Sequence, residues 1–244
     1  MNFALCGTIR SATNFLGHYL NKALSDYTII QENFDEEFIS HTPTAHKIKY
    51  DFNYYDLDSR EVNEEYLNAQ NEYRDYIISM FKSKTNFGQI SPQYTSLCGD
   101  ISEIGKVGIL MRHPIDVIIS CANRDNHLVN NPTMRDIYLR QICYDFQKID
   151  EAIENKNIPY FKYENYTSSI DELKKIIDFL EIDNVNYEAI NLKDKINSKE
   201  NILNTDGIQQ DRFYNEISEV LPDINIYEKV MRNLKPFIEK YYSK

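Results

Sequence analysis

Two stretches far apart in this chain share one construction: an apolar run, a turn with a basic residue in it, and the start of a helix. The first is Gly7-Thr8-Ile9-Arg10-Ser11-Ala12-Thr13-Asn14, which follows the run Asn2–Cys6. The second is Arg112-His113-Pro114-Ile115-Asp116-Val117-Ile118-Ile119-Ser120, which follows Lys106–Met111. Each reads as a strand that stops at an anion-binding turn and restarts as a helix, because a helix N-terminus presents unpaired N–H groups and the positive end of its dipole. Placed at the ends of neighbouring strands, two such turns hold two phosphates of one ligand. The pattern points to a nucleotide that carries phosphate at two places.

The rest of the chain alternates strand and helix patterns. Strands are expected over Asn2–Cys6, Tyr27–Gln31, Asn86–Ile90, Lys106–Met111 and Pro159–Tyr163. The first, fourth and fifth are short, apolar or aromatic and separated by helical stretches, which is the pattern of a parallel sheet covered on both faces. Val62, Tyr66, Ala69, Tyr73, Ile77 and Met80 form one helical stripe, and Met134, Tyr138, Ile142, Phe146, Ile149 and Ile153 form another. Their spacing is that of core packing. Leu173, Ile176, Ile177 and Leu180 mark a further helix, and Asn225 to Tyr242 a last amphipathic one. The polar stretch Asn191–Gln210 reads as a long loop, which in a compact domain is usually functional or mobile. The expected fold is α/β: one domain over 1–244, a three-layer parallel sheet with helices on both faces, and a helical and loop C-terminal part from about 191.

Composition limits the partners. Acids outnumber bases 38 to 27, a formal net charge of −11, so a nucleic-acid backbone is not an expected partner and the cations for an anionic ligand must be local. No apolar run approaches a membrane span, and with Phe3-Ala4-Leu5-Cys6 already in the first strand no signal peptide or anchor is read, so a cytoplasmic protein without a membrane partner is expected. Cys6, Cys98, Cys121 and Cys143 sit singly in apolar segments and read as buried thiols, not a disulfide or zinc set. No metal site is expected, since His41 and His46 lack the company of further ligands. The acidic runs Asp35-Glu36-Glu37 and Asp56 to Glu65 read as solvated faces and would also suit a cationic acceptor.

Compared with the triphosphate-binding loop G-x-x-x-x-G-K-[ST], the first turn has Ala12, Thr13 and Asn14 in the last three places, so the phosphate-reaching Lys and the magnesium-binding hydroxyl are both missing. What remains is a small-residue turn with Arg10 inside it and Ser11 and Thr13 at a helix start. In this form G-T-I-R-S-A-T-N-F-L resembles the 5′-phosphosulfate loop of sulfotransferases, G-x-P-[RK]-S-G-[ST]-T-x-L. Arg112, Pro114, Asp116 and Ser120 match their 3′-phosphate motif R-x-P-x-D-x-x-x-S, and Tyr163-Glu164-Asn165-Tyr166 with Phe179-Leu180 and Ile182 is similar to the Y-E-D-L segment and the helix end that follows it. The matches occur in family order from residue 3 to about residue 182.

The resemblance implies a P-loop NTPase/kinase-like sulfotransferase fold and the donor 3′-phosphoadenosine 5′-phosphosulfate (PAPS), with 3′,5′-bisphosphoadenosine (PAP) as product and no metal required. It puts Arg10 on the oxygen bridging phosphate and sulfate. It puts Ser11, Ala12, Thr13 and Asn14 around the 5′-phosphate, Arg112 and Ser120 on the 3′-phosphate, Tyr163 beside adenine, and Arg212, after Gly207, over the 3′-phosphate. Sulfuryl would pass to a hydroxyl or amine of a small-molecule or glycan acceptor. A base near the acceptor would be Glu32, at the end of the second strand, or His41. Four departures stand out: Ala12 for Gly, Ile9 for Pro, Asn14 for Thr, and Ile90 where a G-x-K-x-P segment has Lys. The rival readings are a P-loop small-molecule kinase and a nucleotide-binding module without catalysis.

Overall fold

The computed structural model describes residues 1–31, 54–124, 132–189 and 224–243. Five strands, β1 (Phe3–Gly7), β2 (Thr28–Gln31), β3 (Phe87–Ser91), β4 (Lys106–Met111) and β5 (Tyr160–Lys162), form one sheet in the order β2-β3-β1-β4-β5. Every neighbouring pair is parallel. The helices are α1 (Thr13–Ala23), α2 (Glu64–Ser83), α3 (Cys98–Ile101), α4 (Pro114–Arg124), α5 (Pro132–Lys156), α6 (Tyr163–Tyr166), α7 (Ile170–Leu180) and α8 (Ile224–Tyr241), with 3₁₀ turns at Pro92–Leu97 and Tyr187–Ala189.

Because side chains alternate across a strand, β1 and β4 each feed two cores. Phe3, Leu5 and Leu110 pack with Leu16, Tyr19 and Leu20 of α1 and with Leu173, Ile176 and Leu180 of α7. Ala4, Cys6, Val107, Ile109 and Met111 join the opposite core, built from Ile77 and Phe81 of α2, Ile115 and Ile118 of α4, Ile142 and Phe146 of α5, and Leu234 and Phe237 of α8. The sheet is therefore covered on both faces, which is why β1 and residues 107–111 of β4 are apolar throughout instead of alternating with polar residues.

The strands lie within two residues of their expected positions, and Lys106–Met111 coincides with β4. The two long stripes fall on α2 and α5, with one correction: Val62 precedes α2 and pairs with Tyr55 in an isolated bridge. Asn63 starts the helix instead, its Oδ1 accepting from the N–H groups of Glu65 (2.8 Å) and Tyr66 (3.2 Å), so the stripe extends one residue past an N-cap. The four cysteines are buried and free. Among the described residues no helix is long and apolar enough to cross a membrane. The loop read over 191–210 lies outside the described residues.

One feature of this topology positions the site. β1 and β4 are neighbours, with Cys6 opposite Ile109 and Gly7 opposite Leu110. Yet the helix after β1 goes to one face and the helix after β4 to the other. A crevice opens where adjacent strands send their chains to opposite faces, at the C-terminal ends of the strands. Both turns singled out in the sequence lie there.

Candidate functional site

The first turn leaves β1 at Gly7, where a Cβ would stand 2.4 Å from the Leu110 carbonyl oxygen and 2.6 Å from Ser11 Oγ, so a side chain there would push the turn off the sheet. Two residues then take left-handed backbone, Arg10 (φ 67°) and Ala12 (φ 58°). Alternation of this kind turns successive N–H groups toward one side and makes a concave anion-binding turn, here leading into the N-terminus of α1. Ala12 is the N-cap and, lacking a polar side chain, makes no side-chain cap hydrogen bond.

The turn is held from inside. Ser11 is fully buried, and both its backbone N–H (3.2 Å) and its hydroxyl (2.6 Å) donate to the Thr8 carbonyl. The Tyr166 hydroxyl donates to the Ser11 carbonyl, and Thr95 Oγ1 donates to the Gly7 carbonyl at 2.5 Å. With its hydroxyl proton on Thr8, Ser11 shapes the loop from within, and contact with an anion falls to the backbone N–H groups and to the start of α1. There Thr13 is buried and Asn14 exposed.

Arg112 leaves β4 and reaches across to the first turn, its Nη1 donating to the Arg10 carbonyl at 2.9 Å. Arg10 reaches the other way, its Nε donating to Ser120 Oγ at 3.0 Å. The two arginines thus tie the turns together reciprocally. Because Ser120 accepts through its oxygen, its own hydroxyl proton remains for another acceptor. The Arg112 guanidinium lies over the Tyr163 ring at 4.5 Å, and its Nε is buried with no hydrogen-bond partner among the described residues. A buried, unpaired guanidinium N–H is costly, and an anion or hydroxyl brought to it would remove that cost.

His113 and Pro114 set the start of α4. Pro at the first helical position loses no hydrogen bond, and His113 Nδ1 accepts from the Ile115 N–H at 3.4 Å while its carbonyl accepts from the Val117 N–H at 3.1 Å. Burial, with the Lys162 charge adding to it, lowers the His113 pKa to about 4, so the ring is neutral near pH 7. The His113 N–H donates to Glu164 Oε1 at 3.3 Å. Burial raises the Glu164 pKa; hydrogen bonds from the N–H groups of Glu164 and His113, and the Arg112 and Lys162 charges, oppose that rise. Its other oxygen is buried without a partner among the described residues.

The fold therefore brings Arg10, Ser11, Ala12, Thr13, Asn14, Arg112, Ser120 and Tyr163 to one end of the sheet. Tyr163 serves there as the platform beneath Arg112. Glu32, His41 and Arg212 lie outside the described residues. Ile90, in place of Lys in the third strand, is fully buried in the α1 core and contributes no charge. Sequence reading assigned no role to Thr95, Tyr166 or Glu164, which hold the turns. Tyr166 and Glu164 stand inside the quoted Tyr-Glu segment, whereas nothing in the sequence marks Thr95. A hollow lined by Leu57, Leu139, Arg140 and Ile226 shares no residue with either turn. Among the described residues no group of His, Cys, Asp or Glu is placed to hold a metal ion. No protein-family model matches this chain, and no curated protein is significantly similar to it.

Proposed function

We propose that this protein is a sulfotransferase with a P-loop kinase-like fold, moving a sulfuryl group from PAPS to a hydroxyl or amine of a small-molecule or glycan acceptor. The observation that carries the reading is the reciprocal link between the turns, Arg112 on the Arg10 carbonyl and Arg10 on Ser120, at the crevice between β1 and β4. It concentrates two guanidinium groups, a hydroxyl with a proton to give and a helix start, in a chain that is otherwise strongly acidic.

The site fits a doubly phosphorylated nucleotide in kind. The left-handed turn at Arg10 and Ala12 suits one phosphate, and Arg112 with Ser120 suits the other, the Arg112 Nε being buried without a hydrogen-bond partner among the described residues. The donor supplies an activated sulfuryl group whose S–O bond breaks toward the 5′-phosphate. Arg10 has the reach to neutralise charge that grows on the bridging oxygen, since its side chain already spans the space between the turns. Sulfuryl transfer resembles phosphoryl transfer in its loose, in-line transition state, so positioning and charge stabilisation are what the protein contributes. A base takes the proton that the acceptor loses as the new bond forms.

Calorimetry with EDTA present tests the reading. PAP is expected to bind without metal and ATP poorly, because the turn has no P-loop Lys or magnesium-binding hydroxyl. Arg112→Ala is expected to weaken PAP by roughly 2–3 kcal/mol, the scale of a lost charge-assisted hydrogen bond, and to leave 5′-AMP nearly unchanged. Magnesium-dependent ATP binding tighter than that of PAP would end the sulfotransferase reading in favour of a kinase. PAP binding without turnover on any acceptor would leave a binding module.

A further inference from the structure

The second turn is braced from two sides, and only one of them belongs to a motif. On one side are Glu164, which accepts the His113 N–H at 3.3 Å, and Tyr163, whose ring lies under Arg112 at 4.5 Å. On the other is the end of the chain. α8 finishes at Tyr241, and Tyr242 continues its last turn with its N–H on the Ile238 carbonyl at 2.8 Å. Its ring then meets the His113 imidazole edge to face, at 4.8 Å between centroids and 74° between planes. Lys162, the last residue of β5, fixes this arrangement: its Nζ donates to the Tyr241 carbonyl at 2.6 Å and lies 4.8 Å from the centroid of the Tyr242 ring. A cation on the last carbonyls of a helix is favoured by both hydrogen bonding and the helix dipole. The last turn of the chain is thereby tied to the same sheet end that carries Arg112.

We propose that Tyr242 is a positioning residue which, through His113, holds Arg112 and the start of α4 in place. The ring performs this role. The Tyr242 hydroxyl is buried and has no hydrogen-bond partner among the described residues, so its removal breaks no hydrogen bond there, whereas loss of the ring takes away the wall against which His113 stands. His113 in turn is rigidly placed only if its Nδ1 stays on the Ile115 N–H. His113 follows Arg112 directly and its backbone N–H is held by Glu164, so a shift of His113 is passed through the backbone to the residue that carries the guanidinium.

The test uses the full chain and two readouts, of which the first needs no ligand. Hydrogen exchange at the Ile115 and Val117 amides, both bonded to His113, is expected to quicken roughly threefold to tenfold in Tyr242→Ala, the scale of one aromatic pair. Exchange within α7, on the opposite face, is expected to stay as it was. Tyr242→Phe keeps the ring and is expected to restore wild-type exchange. The second readout rests on the proposed donor site: PAP affinity falls by a similar factor in Tyr242→Ala and returns in Tyr242→Phe, while 5′-AMP affinity does not change. Unchanged exchange at Ile115 and Val117, exchange that quickens equally in α7, or failure of Tyr242→Phe to rescue overturns the proposal. If the wild-type protein does not bind PAP, the donor reading fails and the exchange result alone decides the role of Tyr242. Should Tyr242→Ala fold poorly, Tyr242→Leu, which keeps apolar bulk without a ring, carries the same expectation.

Discussion

Ala12 holds a Cβ in left-handed backbone at φ 58°, ψ 34°, a conformation that costs an L-residue roughly 1–2 kcal/mol and costs glycine nothing. Replacing it with glycine removes that strain but loosens the unfolded chain, which takes back about 0.4–1 kcal/mol. The expected net effect of Ala12→Gly is a gain of about 0.5–1 kcal/mol, read as a rise of about 2 °C in melting temperature. Gly7→Ala is the internal contrast: its Cβ would stand 2.4 Å from a backbone oxygen of β4, so the melting temperature is expected to fall. A lower melting temperature for Ala12→Gly would mean that the Cβ makes a contact worth more than the strain. The sequence marked both positions as small but could not tell them apart, because small size serves close approach at Gly7 and a turn at Ala12. Ser11 shows a related limit. A serine in an anion-binding turn reads as a ligand, while here its hydroxyl proton lies on the Thr8 carbonyl, and only a placed backbone reveals where a short polar side chain folds back.

At the scale of elements, periodicity located the strands and helices well because the core of each is set by apolar spacing, while their ends are set by caps that spacing does not see. α2 begins at an Asn cap and not at the first apolar residue of its stripe. α4 is an unusual case, since it starts behind a histidine whose ring accepts from the Ile115 N–H and must be neutral to do so. That makes the helix start sensitive to acid. His113 titrates at about 4 in the folded protein against an ordinary value of 6.5, so below pH 6.5 the unfolded chain gains a proton that the folded one refuses. Stability is expected in full above pH 6.5 and to be lost as pH falls toward 4, by about 3 kcal/mol over that window. Glu164, raised by burial, works in the opposite sense: its folded form gains stability as pH falls and loses it as pH rises. Comparing the wild type with His113→Asn separates the two. Asparagine still caps a helix but does not titrate, so melting curves of His113→Asn between pH 7 and 4 are expected to lack the acid-dependent loss. An identical loss in both proteins would place the acid sensitivity elsewhere.

For the whole molecule, a parallel sheet covered on both faces was legible from apolar strands alternating with helices, but its order was not. Pairing of β1 with β3 and β4 is a long-range outcome of how both cores are filled, and it is this order that turns two separate motifs into one site. The sequence therefore supplied the parts, and the juxtaposition of Arg10 with Ser120 and of Arg112 with the Arg10 carbonyl came only with the fold. The same arrangement separates two kinds of arginine. Arg112 is braced by Tyr163 and the Arg10 carbonyl, the setting of a group that binds a fixed charge. Arg10 is held through Ser120 across the crevice, the setting of a group that can shift toward charge as it develops. If the donor reading is right, Arg10→Ala is expected to lower turnover by about 10²–10³-fold, the usual loss when one donor to a developing oxyanion is removed, and to weaken PAP by less than about tenfold. Single-turnover transfer to an acceptor found by screening hydroxyl and amine compounds, set beside PAP calorimetry, measures both quantities. A fall in PAP affinity as large as the fall in turnover would make Arg10 a ground-state anchor like Arg112. In that event transition-state stabilisation would pass to the backbone N–H groups of the first turn, which among substitutions only proline removes.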